Sequence, residues 1–165
     1  MKTLVTYFSQ TGKTKQVADA IFETIEGEKE IKELSETEST DGYDLLFVGF
    51  PIQAFAPAAQ AKDFLASQCQ NKQLALFMTH AMPEDFEEIG EWIESCKNAA
   101  SGADIVGTFN CQGEIADFIL DAMLANDDPQ IQKLAKGAAT SKGQPDAVRI
   151  ERAHAFAADI MSRFA

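Results

Sequence analysis

Runs of apolar residues alternate along this chain with segments in which apolar residues recur every three to four positions. Two continuous runs, Asp44–Phe50 and Gln73–Thr79, are typical of strands buried on both faces of a parallel sheet. Further strands are predicted at Lys2–Phe8 and Ala103–Cys111, whereas the polar segment Glu28–Leu34 fits only a sheet edge. Strands that alternate with helices predict an α/β fold, in which helices cover both faces of a five-stranded parallel sheet.

Four helices are predicted from the helical spacing of apolar residues between and after these strands. The first ends near Gly27, and the last begins after its cap, Asp146. Residues 112–144 exceed an ordinary connection, so we expect an added helical excursion there, with a helix in Ile115–Leu124 and a turn at Asn126–Pro129. The four apolar stripes are Val17, Ala18, Ile21, Phe22 and Ile25; Ala58, Ala61, Phe64 and Leu65; Phe86, Ile89, Ile93 and Cys96; and Ala153, Phe156, Ala157, Ile160, Met161 and Phe164.

The composition fits a single domain over residues 1–165, since 45% of the residues are hydrophobic and 24% are charged. We identify no export signal, and no apolar run approaches the roughly 20 residues needed to cross a bilayer. Cys69, Cys96 and Cys111 are odd in number and widely spaced, so we expect reduced, mostly buried thiols in a cytoplasmic protein. The formal net charge of −12 argues against nucleic acid or a membrane surface as partner and favours a basic protein.

The candidate chemistry lies in the loop Ser9-Gln10-Thr11-Gly12-Lys13-Thr14, which follows the first strand and opens the first helix. Its three hydroxyls can donate to phosphate oxygens, Gly12 lets the backbone approach closely, and the helix dipole favours a dianion. A turn with a helix cap uses the same residue types, but the position within a βα repeat favours a phosphate site. The end of the loop also imitates a P-loop, yet Tyr7 stands where that motif needs a glycine.

This loop resembles the phosphate loop of the flavodoxin family, which reads Ser/Thr, any residue, Thr, Gly, any residue, Thr. Every fixed position of that pattern is met. The resemblance extends, as element order, over essentially the whole chain, including the closing Gly143-Gln144-Pro145-Asp146 before the last helix. It implies a flavodoxin-like three-layer α/β/α sandwich with strand order 2-1-3-4-5, and FMN as the cofactor.

The resemblance also implies that the loops after the third and fourth strands clasp the isoalloxazine ring of FMN. Phe55 or Ile52 can offer the ring a flat apolar surface, although packing of Phe55 on the following helix is an equally good interpretation. His80 can contact the flavin, but a lone loop histidine is more often solvated, and we expect the solvated state. The residues expected at the ring are Pro51, Ile52, Gln53, Ala54 and Phe55 in one loop, and Thr79, His80 and Ala81 in the other.

The two ring loops differ from those of electron-carrying flavodoxins, which usually stack a Trp and a Tyr on the ring. Neither loop contains these residues, and no glycine lies between Pro51 and Pro57 to allow the peptide flip that stabilises the half-reduced flavin. We expect Cys111 in the core, with a place beside the flavin as the alternative. The acidic segment Glu84–Glu94 fits a solvated helix face, and a docking surface for a basic partner is the second interpretation.

These features predict an FMN-containing electron shuttle, a carrier rather than an enzyme, which serves a redox partner with a basic docking face. One alternative is a flavodoxin-fold reductase that passes hydride from NAD(P)H to a quinone, which the missing ring-stacking aromatics favour. Another is an accessory subunit that delivers electrons to one dedicated reductase, a group that includes flavodoxin-like partners of bilin reductases. All three are compatible with the fold, because one fold hosts many functions.

Overall fold

Six strands and six helices make up the computed structural model, which describes residues 1–165. No helix combines the length and the apolar character needed to cross a membrane. The strands are β1 (Lys2–Tyr7), β2 (Glu28–Glu33), β3 (Leu45–Gln53), β4 (Ala56–Pro57), β5 (Gln73–His80) and β6 (Asp104–Gln112). The helices are α1 (Lys13–Thr24), α2 (Ala59–Gln68), α3 (Ile89–Ala99), α4 (Asp117–Leu124), α5 (Pro129–Ala139) and α6 (Ala147–Ser162), with a short 3-10 helix at Leu34–Glu36.

The five long strands form one parallel sheet in the order β2-β1-β3-β5-β6. If the long strands alone are counted, this is the order 2-1-3-4-5, so the predicted fold class is confirmed. β2 occupies an edge, as its polar sequence predicts. Its charged residues Lys29, Glu30 and Lys32 suit that place, because charged side chains keep an exposed strand edge from pairing with another chain.

Helices cover both faces of the sheet because each central strand alternates between two sets of apolar side chains. Val5 and Phe47 pack in a buried cluster with α1 and α6. Leu4 and Leu46, their neighbours along the same strands, pack in a second cluster with α2 and α3. This alternation is the period-2 pattern of a strand buried on both sides, and it makes the three-layer α/β/α arrangement.

The short strand β4 has no counterpart among the predicted strands. It folds back on β3 in an antiparallel hairpin that pairs Gln53 with Ala56. The two turn residues, Ala54 and Phe55, have φ angles of 48° and 67°. Positive φ at both positions is the requirement of a type I′ turn, which Asn-Gly usually marks. Because Ala-Phe lacks that signal, the sequence did not indicate the hairpin.

Helix α3 begins later than its apolar stripe predicts, because Phe86 lies in the turn before the helix. The backbone N–H of Phe86 donates to the carbonyl oxygen of Pro83 at 3.0 Å, and the helix starts at Ile89. Phe86 still packs against the helix, since its ring centroid lies 5.8 Å from that of Trp92. The other helix ends agree with the prediction more closely: Asp146 caps α6 by accepting a backbone hydrogen bond at 3.0 Å.

The predicted helical excursion between β6 and α6 consists of α4 and α5, which pack on each other. The chain enters and leaves it at the same place. The N–H of Glu114 donates to the carbonyl oxygen of Gln144 at 2.9 Å, and the N–H of Ile115 donates to Oγ of Ser141 at 3.0 Å. The excursion is therefore a loop of chain closed at its base by hydrogen bonds.

Candidate functional site

One cavity of about 480 Å³ lies at the carboxyl ends of the central strands, where ligands bind in open α/β sheets. The loops after β1, β3 and β5 all contribute to its wall, so the structure brings the three predicted loops together. Ser9 and Gly12 are the two predicted residues that do not line it. The twelve that do are Gln10, Thr11, Lys13, Thr14, Pro51, Ile52, Gln53, Ala54, Phe55, Thr79, His80 and Ala81.

Ser9 and Gly12 shape the first loop from behind. Gly12 has φ of 84°, a left-handed conformation that glycine adopts without steric cost, and it caps the start of α1. Oγ of Ser9 accepts the N–H of Gly12 at 3.1 Å and the N–H of Lys15 at 3.4 Å. Ser9 thus holds the turn, and its direct contact with phosphate stays a prediction.

Unpaired backbone donors remain at the start of α1. The N–H groups of Lys13 and Thr14 have no acceptor within the helix, since they belong to its first turn. Neither they nor the N–H of Thr11 take part in the hydrogen bonds of the loops and caps. Lys13, Thr14 and Thr11 all line the cavity, so a cluster of donors at the positive end of a helix is available to an anion.

Two threonine hydroxyls connect the first loop to the end of β5. Oγ1 of Thr14 and Oγ1 of Thr79 are 2.8 Å apart, and both side chains are buried. In this pair one hydroxyl donates to the other, so the accepting hydroxyl keeps its own hydrogen for a further acceptor. Gly113 packs against this pair, because a Cβ there would lie only 3.2 Å from Cβ of Thr79.

The charge of Lys13 is balanced by a carboxylate that the sequence did not identify. Nζ of Lys13 lies 3.5 Å from Oε2 of Glu114, and Nζ of Lys142 lies 3.1 Å from Oε1 of the same residue. The hydrogen bond from Lys142 and the backbone N–H of Gly143 hold the pKa of Glu114 below its usual value. Lys13 is the one basic residue that lines the cavity, and its charge is already paired.

The β3–β4 hairpin forms a second wall of the cavity. Phe55, at its tip, is 53% exposed, and its ring centroid lies 5.0 Å from that of Trp92 on α3. Phe55 thus contacts α3 and not α2, the following helix, on which packing was one of its two predicted roles. Nε2 of Gln53 donates to Oε1 of Gln10 at 2.8 Å, so the hairpin is joined to the first loop.

His80 is buried, and the expectation of a solvated histidine is wrong. It is the last residue of β5 and is only 4% exposed. Its Nδ1 lies 2.8 Å from the carbonyl oxygen of Met82, and its Nε2 lies 2.8 Å from the side chain of Asn110. Burial lowers the pKa of His80 below its usual 6.5, although both hydrogen bonds oppose the shift. The imidazole is therefore neutral near pH 7.

The acidic segment Glu84–Glu94 is only partly the solvated face that was expected. Both carboxylate oxygens of Glu84 accept from Arg149 on α6, at 2.7 and 2.6 Å, and Arg152 adds a third contact at 3.2 Å. Burial would raise the pKa of Glu84, but the hydrogen bonds from Arg149 and from the backbone N–H groups of Glu84 and Gln112 together outweigh burial and lower the pKa. Glu84 thus fixes the loop after β5, whereas Asp85, Glu87 and Glu91 remain exposed without an ion pair.

The third wall comes from residues that sequence reasoning did not assign to the site. Trp92 lies one helical turn from Ile89 in the predicted apolar stripe, and this spacing was an available signal. The contribution of the excursion depends on tertiary packing and had no such signal. The additional lining residues are Met82, Trp92, Gly113, Glu114, Ile115, Ala116, Ile119, Met123, Leu134 and Ala138.

All three cysteines are free and buried, as predicted. Cys111 packs in the core cluster under α1 and α6 and does not line the cavity. Burial raises the pKa of each thiol, of Cys69, Cys96 and Cys111 alike, to about 12. They are neutral thiols with no place in the chemistry of the cavity.

A family profile described as a flavodoxin domain (Flavodoxin_3) matches residues 4–158. The chain belongs to the flavodoxin family. The chain is similar in sequence to the flavodoxin-like domain-containing protein BilS of Clostridioides difficile strain CD3. The two sequences are 30% identical over 171 residues, and the alignment covers 98% of this chain and 97% of BilS.

Solved structures with the flavodoxin fold superpose on this chain over most of its length. The flavodoxin of Streptococcus pneumonia TIGR4 has a TM-score of 0.65 at 14% identity, covering 99% of each chain. A flavoprotein in complex with FMN from Lactobacillus acidophilus NCFM has a TM-score of 0.54 at 21% identity, covering 66% of this chain and 92% of its own. These flavodoxin-like neighbours confirm the fold.

Proposed function

We propose that this flavodoxin-family chain binds FMN in the described cavity and carries electrons between redox partners. The observation that supports this most is the first loop, in which unpaired N–H groups of Thr11, Lys13 and Thr14 meet at the positive end of α1. A phosphate dianion matches that cluster in charge and in hydrogen-bonding capacity. FMN is also the cofactor that membership of the flavodoxin family supports.

The cavity suits FMN along its whole length, because its lining changes from polar to apolar. Next to the donor cluster lie the hydroxyls of Thr14 and Thr79, which suit a sugar-phosphate chain. Farther along, the wall is formed by large apolar side chains, among them Trp92 and Met82, which suit a flat aromatic ring. A volume of about 480 Å³ lies within the range of cofactor-sized pockets.

Different residues of the cavity would bind the phosphate of FMN and surround its ring. Thr11, Lys13 and Thr14 would hold the phosphate through backbone N–H groups and hydroxyls. The β3–β4 hairpin and the β5 loop would enclose the ring and exclude water from it, and neutral His80 would keep positive charge away from the ring. When bound, FMN supplies the one- and two-electron redox chemistry, and no side chain needs to act as acid, base or nucleophile.

The electrostatics of the cavity favour a carrier over a reductase that uses NAD(P)H. A nicotinamide nucleotide carries several phosphate charges in addition to those of FMN, and a site for it needs basic side chains. Lys13 is the basic residue at the cavity, and Glu114 already neutralises it. An accessory subunit that delivers electrons to one dedicated reductase, of the bilin reductase type, is a narrower form of the same proposal.

A comparison of FMN with riboflavin tests the proposed binding site, because the two differ only in the phosphate. We expect FMN to bind more tightly in a flavin fluorescence titration. Thr11→Ala and Thr14→Ala should each weaken FMN binding roughly 10- to 100-fold, the effect of losing a hydrogen bond to a charged group, and change riboflavin binding little.

Two further variants serve as controls. Lys15→Ala removes a cation that pairs with Asp19 outside the cavity and should leave the affinity unchanged. Lys13→Ala should weaken FMN binding less than the threonine variants, because Glu114 holds its side chain. Equal affinities for FMN and riboflavin would refute the phosphate site.

A further inference from the structure

Helix α4 is strongly apolar, yet none of its eight residues is buried. Phe118 is 76% exposed and Leu124 is 51% exposed, although both belong to a helix of sequence Asp-Phe-Ile-Leu-Asp-Ala-Met-Leu. Ile119 and Met123 on its inner side line the cavity. A surface helix normally turns its polar residues outward, so large apolar side chains on the outer side of α4 indicate a surface that another molecule covers.

The exposed apolar side chains of the protein are concentrated around the cavity. Six large apolar residues are exposed in the whole chain, and four of them belong to α4 or to the tip of the β3–β4 hairpin. These two elements line the cavity from different sides. A molecule that contacts both elements would therefore lie next to the cavity. The four residues are Phe55, Phe118, Ile119 and Leu124.

The chain segment that contains α4 is acidic. Residues 114–132 contain five carboxylates and no lysine or arginine. Asp117 and Asp121 lie one helical turn apart beside Phe118, a spacing at which like charges repel and destabilise the helix. Asp117 has Lys142 at 3.7 Å, but Asp121 has no ion-pair partner. A cation supplied from outside would relieve this repulsion.

We propose that the outer face of α4, with Phe118 as its apolar anchor, docks into an apolar groove on the redox partner protein, whose rim carries lysine or arginine. This inference rests on the proposed function and names the partner's chemistry. A buried aromatic anchor supplies most of the affinity at such contacts, whereas the surrounding charges set the rate of encounter and the orientation. An amphipathic helix that binds in a groove is an established way to combine an apolar anchor with surrounding charges.

The test uses the full-length protein loaded with FMN, and mitochondrial cytochrome c, a basic haem protein, as the probe. Stopped-flow absorbance follows electron transfer from the chemically reduced protein, in which one fully reduced FMN reduces two ferric haems and releases two protons. Phe118→Ala should lower the second-order rate constant by about fivefold or more. Asp117→Asn/Asp121→Asn should lower it at low salt and flatten its dependence on ionic strength.

A matched control and a small acceptor isolate the docking step. Val148→Ala, at a residue on α6 that is 67% exposed and does not line the cavity, should leave the cytochrome rate unchanged. Ferricyanide, a small anion that needs no groove, should be reduced no more slowly by the variants than by the unaltered protein. Equal cytochrome rates for Phe118→Ala and Val148→Ala would overturn the proposal.

Two other measurements separate the possible failures. Calorimetric titration of the flavin-free protein with cytochrome c measures docking whether or not FMN binds. A failure of FMN binding would therefore appear in the FMN titration and would leave the docking measurement intact. A wild-type affinity of Phe118→Ala in that titration would refute the anchor. Sedimentation velocity must show a monomer, since a dimer that Phe118→Ala dissociates would mean that a second copy of the chain covers α4.

Discussion

The buried imidazole of His80 shows how a residue at the cavity is controlled by its surroundings. Its two ring nitrogens contact the carbonyl oxygen of Met82 and the side chain of Asn110. A neutral imidazole has one donor and one acceptor nitrogen. Oδ1 of Asn110 lies 2.8 Å from Nε2, so both ring nitrogens face an oxygen acceptor, and a neutral ring donates to only one of them. Both contacts favour the cation, but burial of the ring outweighs them and lowers the pKa of His80.

A titration of the imidazole checks this neutral state. We expect the His80 ring signals in NMR spectra to titrate with a midpoint below 6.5, because burial disfavours the cation. The unfolded chain then binds more protons near pH 6, so the stability contributed by His80 is complete above pH 6.5 and is lost as the pH falls through the folded pKa. His80→Asn identifies the signals against those of His154. A midpoint at or above 6.5 would contradict the buried neutral ring.

At the scale of residues, the sequence indicated a site residue where a suitable side chain also follows a predicted strand. The first loop was identifiable because its hydroxyls and glycine follow an apolar strand directly. His80 was misjudged because burial of a loop-end residue depends on neighbours from other elements, here Asn110 on β6. Glu114 was missed for the same reason, since its contact with Lys13 joins residues that are about 100 positions apart.

The central strands depend on one close approach between neighbouring elements. Gly49 on β3 is paired with Phe77 on β5, and a Cβ at Gly49 would lie 1.8 Å from Cε2 of the Phe77 ring. The ring is fully buried and occupies the place that a side chain on β3 would take. The core of the sheet therefore requires glycine at this position.

Gly49→Ala should destabilise the protein by at least about 1–3 kcal/mol, the usual cost of overpacking a core. Urea denaturation followed by circular dichroism measures the change. Gly90→Ala is the matched control, because Gly90 lies in α3 with open space around it. Alanine is the better helix former, so this control should be neutral or stabilising by up to about 1 kcal/mol. Similar losses in both variants would show that the Phe77 contact is unimportant.

At the scale of elements, the sequence predicted the long strands better than the hairpin and the cavity wall that lie between them. The continuous apolar runs of β3 and β5 are typical of strands that are buried on both faces. The β3–β4 hairpin escaped prediction because Ala54 and Phe55 adopt positive φ without the usual turn residues. Helix α4 was predicted as a helix, but its role as a cavity wall follows from packing of the excursion against the β5 loop, which local patterns do not encode.

The whole molecule carries a net charge of −12, and this charge acts on every small anion that approaches. A reductase that takes hydride from NADPH or NADH must attract these anionic nucleotides to its flavin. Here the overall field opposes their approach, and Lys13, which is already paired with Glu114, offers them no free cation. The same field would attract a basic protein, so the charge distribution favours the proposed carrier over the reductase.

The FMN-loaded protein should therefore show negligible turnover when it is mixed with NADPH and a small neutral quinone. An ordinary reductase reaches about 1 to 1000 turnovers per second in that assay. Absorbance at the nicotinamide band measures the rate, and a known quinone reductase under the same conditions is the positive control. Rapid flavin reduction by NADPH alone, insensitive to added salt, would replace the carrier proposal with the reductase.

The closed base of the excursion has a consequence for how this protein diversifies. Residues 114 and 144 are joined by a backbone hydrogen bond, so the chain between them starts and finishes at one point. The free energy of closing a loop grows only slowly with its length. Changes on the outer side of this segment can therefore leave the strands in place, whereas Glu114, Ile119 and Met123 are constrained by the cavity and by Lys13. We expect variation in such a surface segment to alter the choice of partner more than the binding of the cofactor.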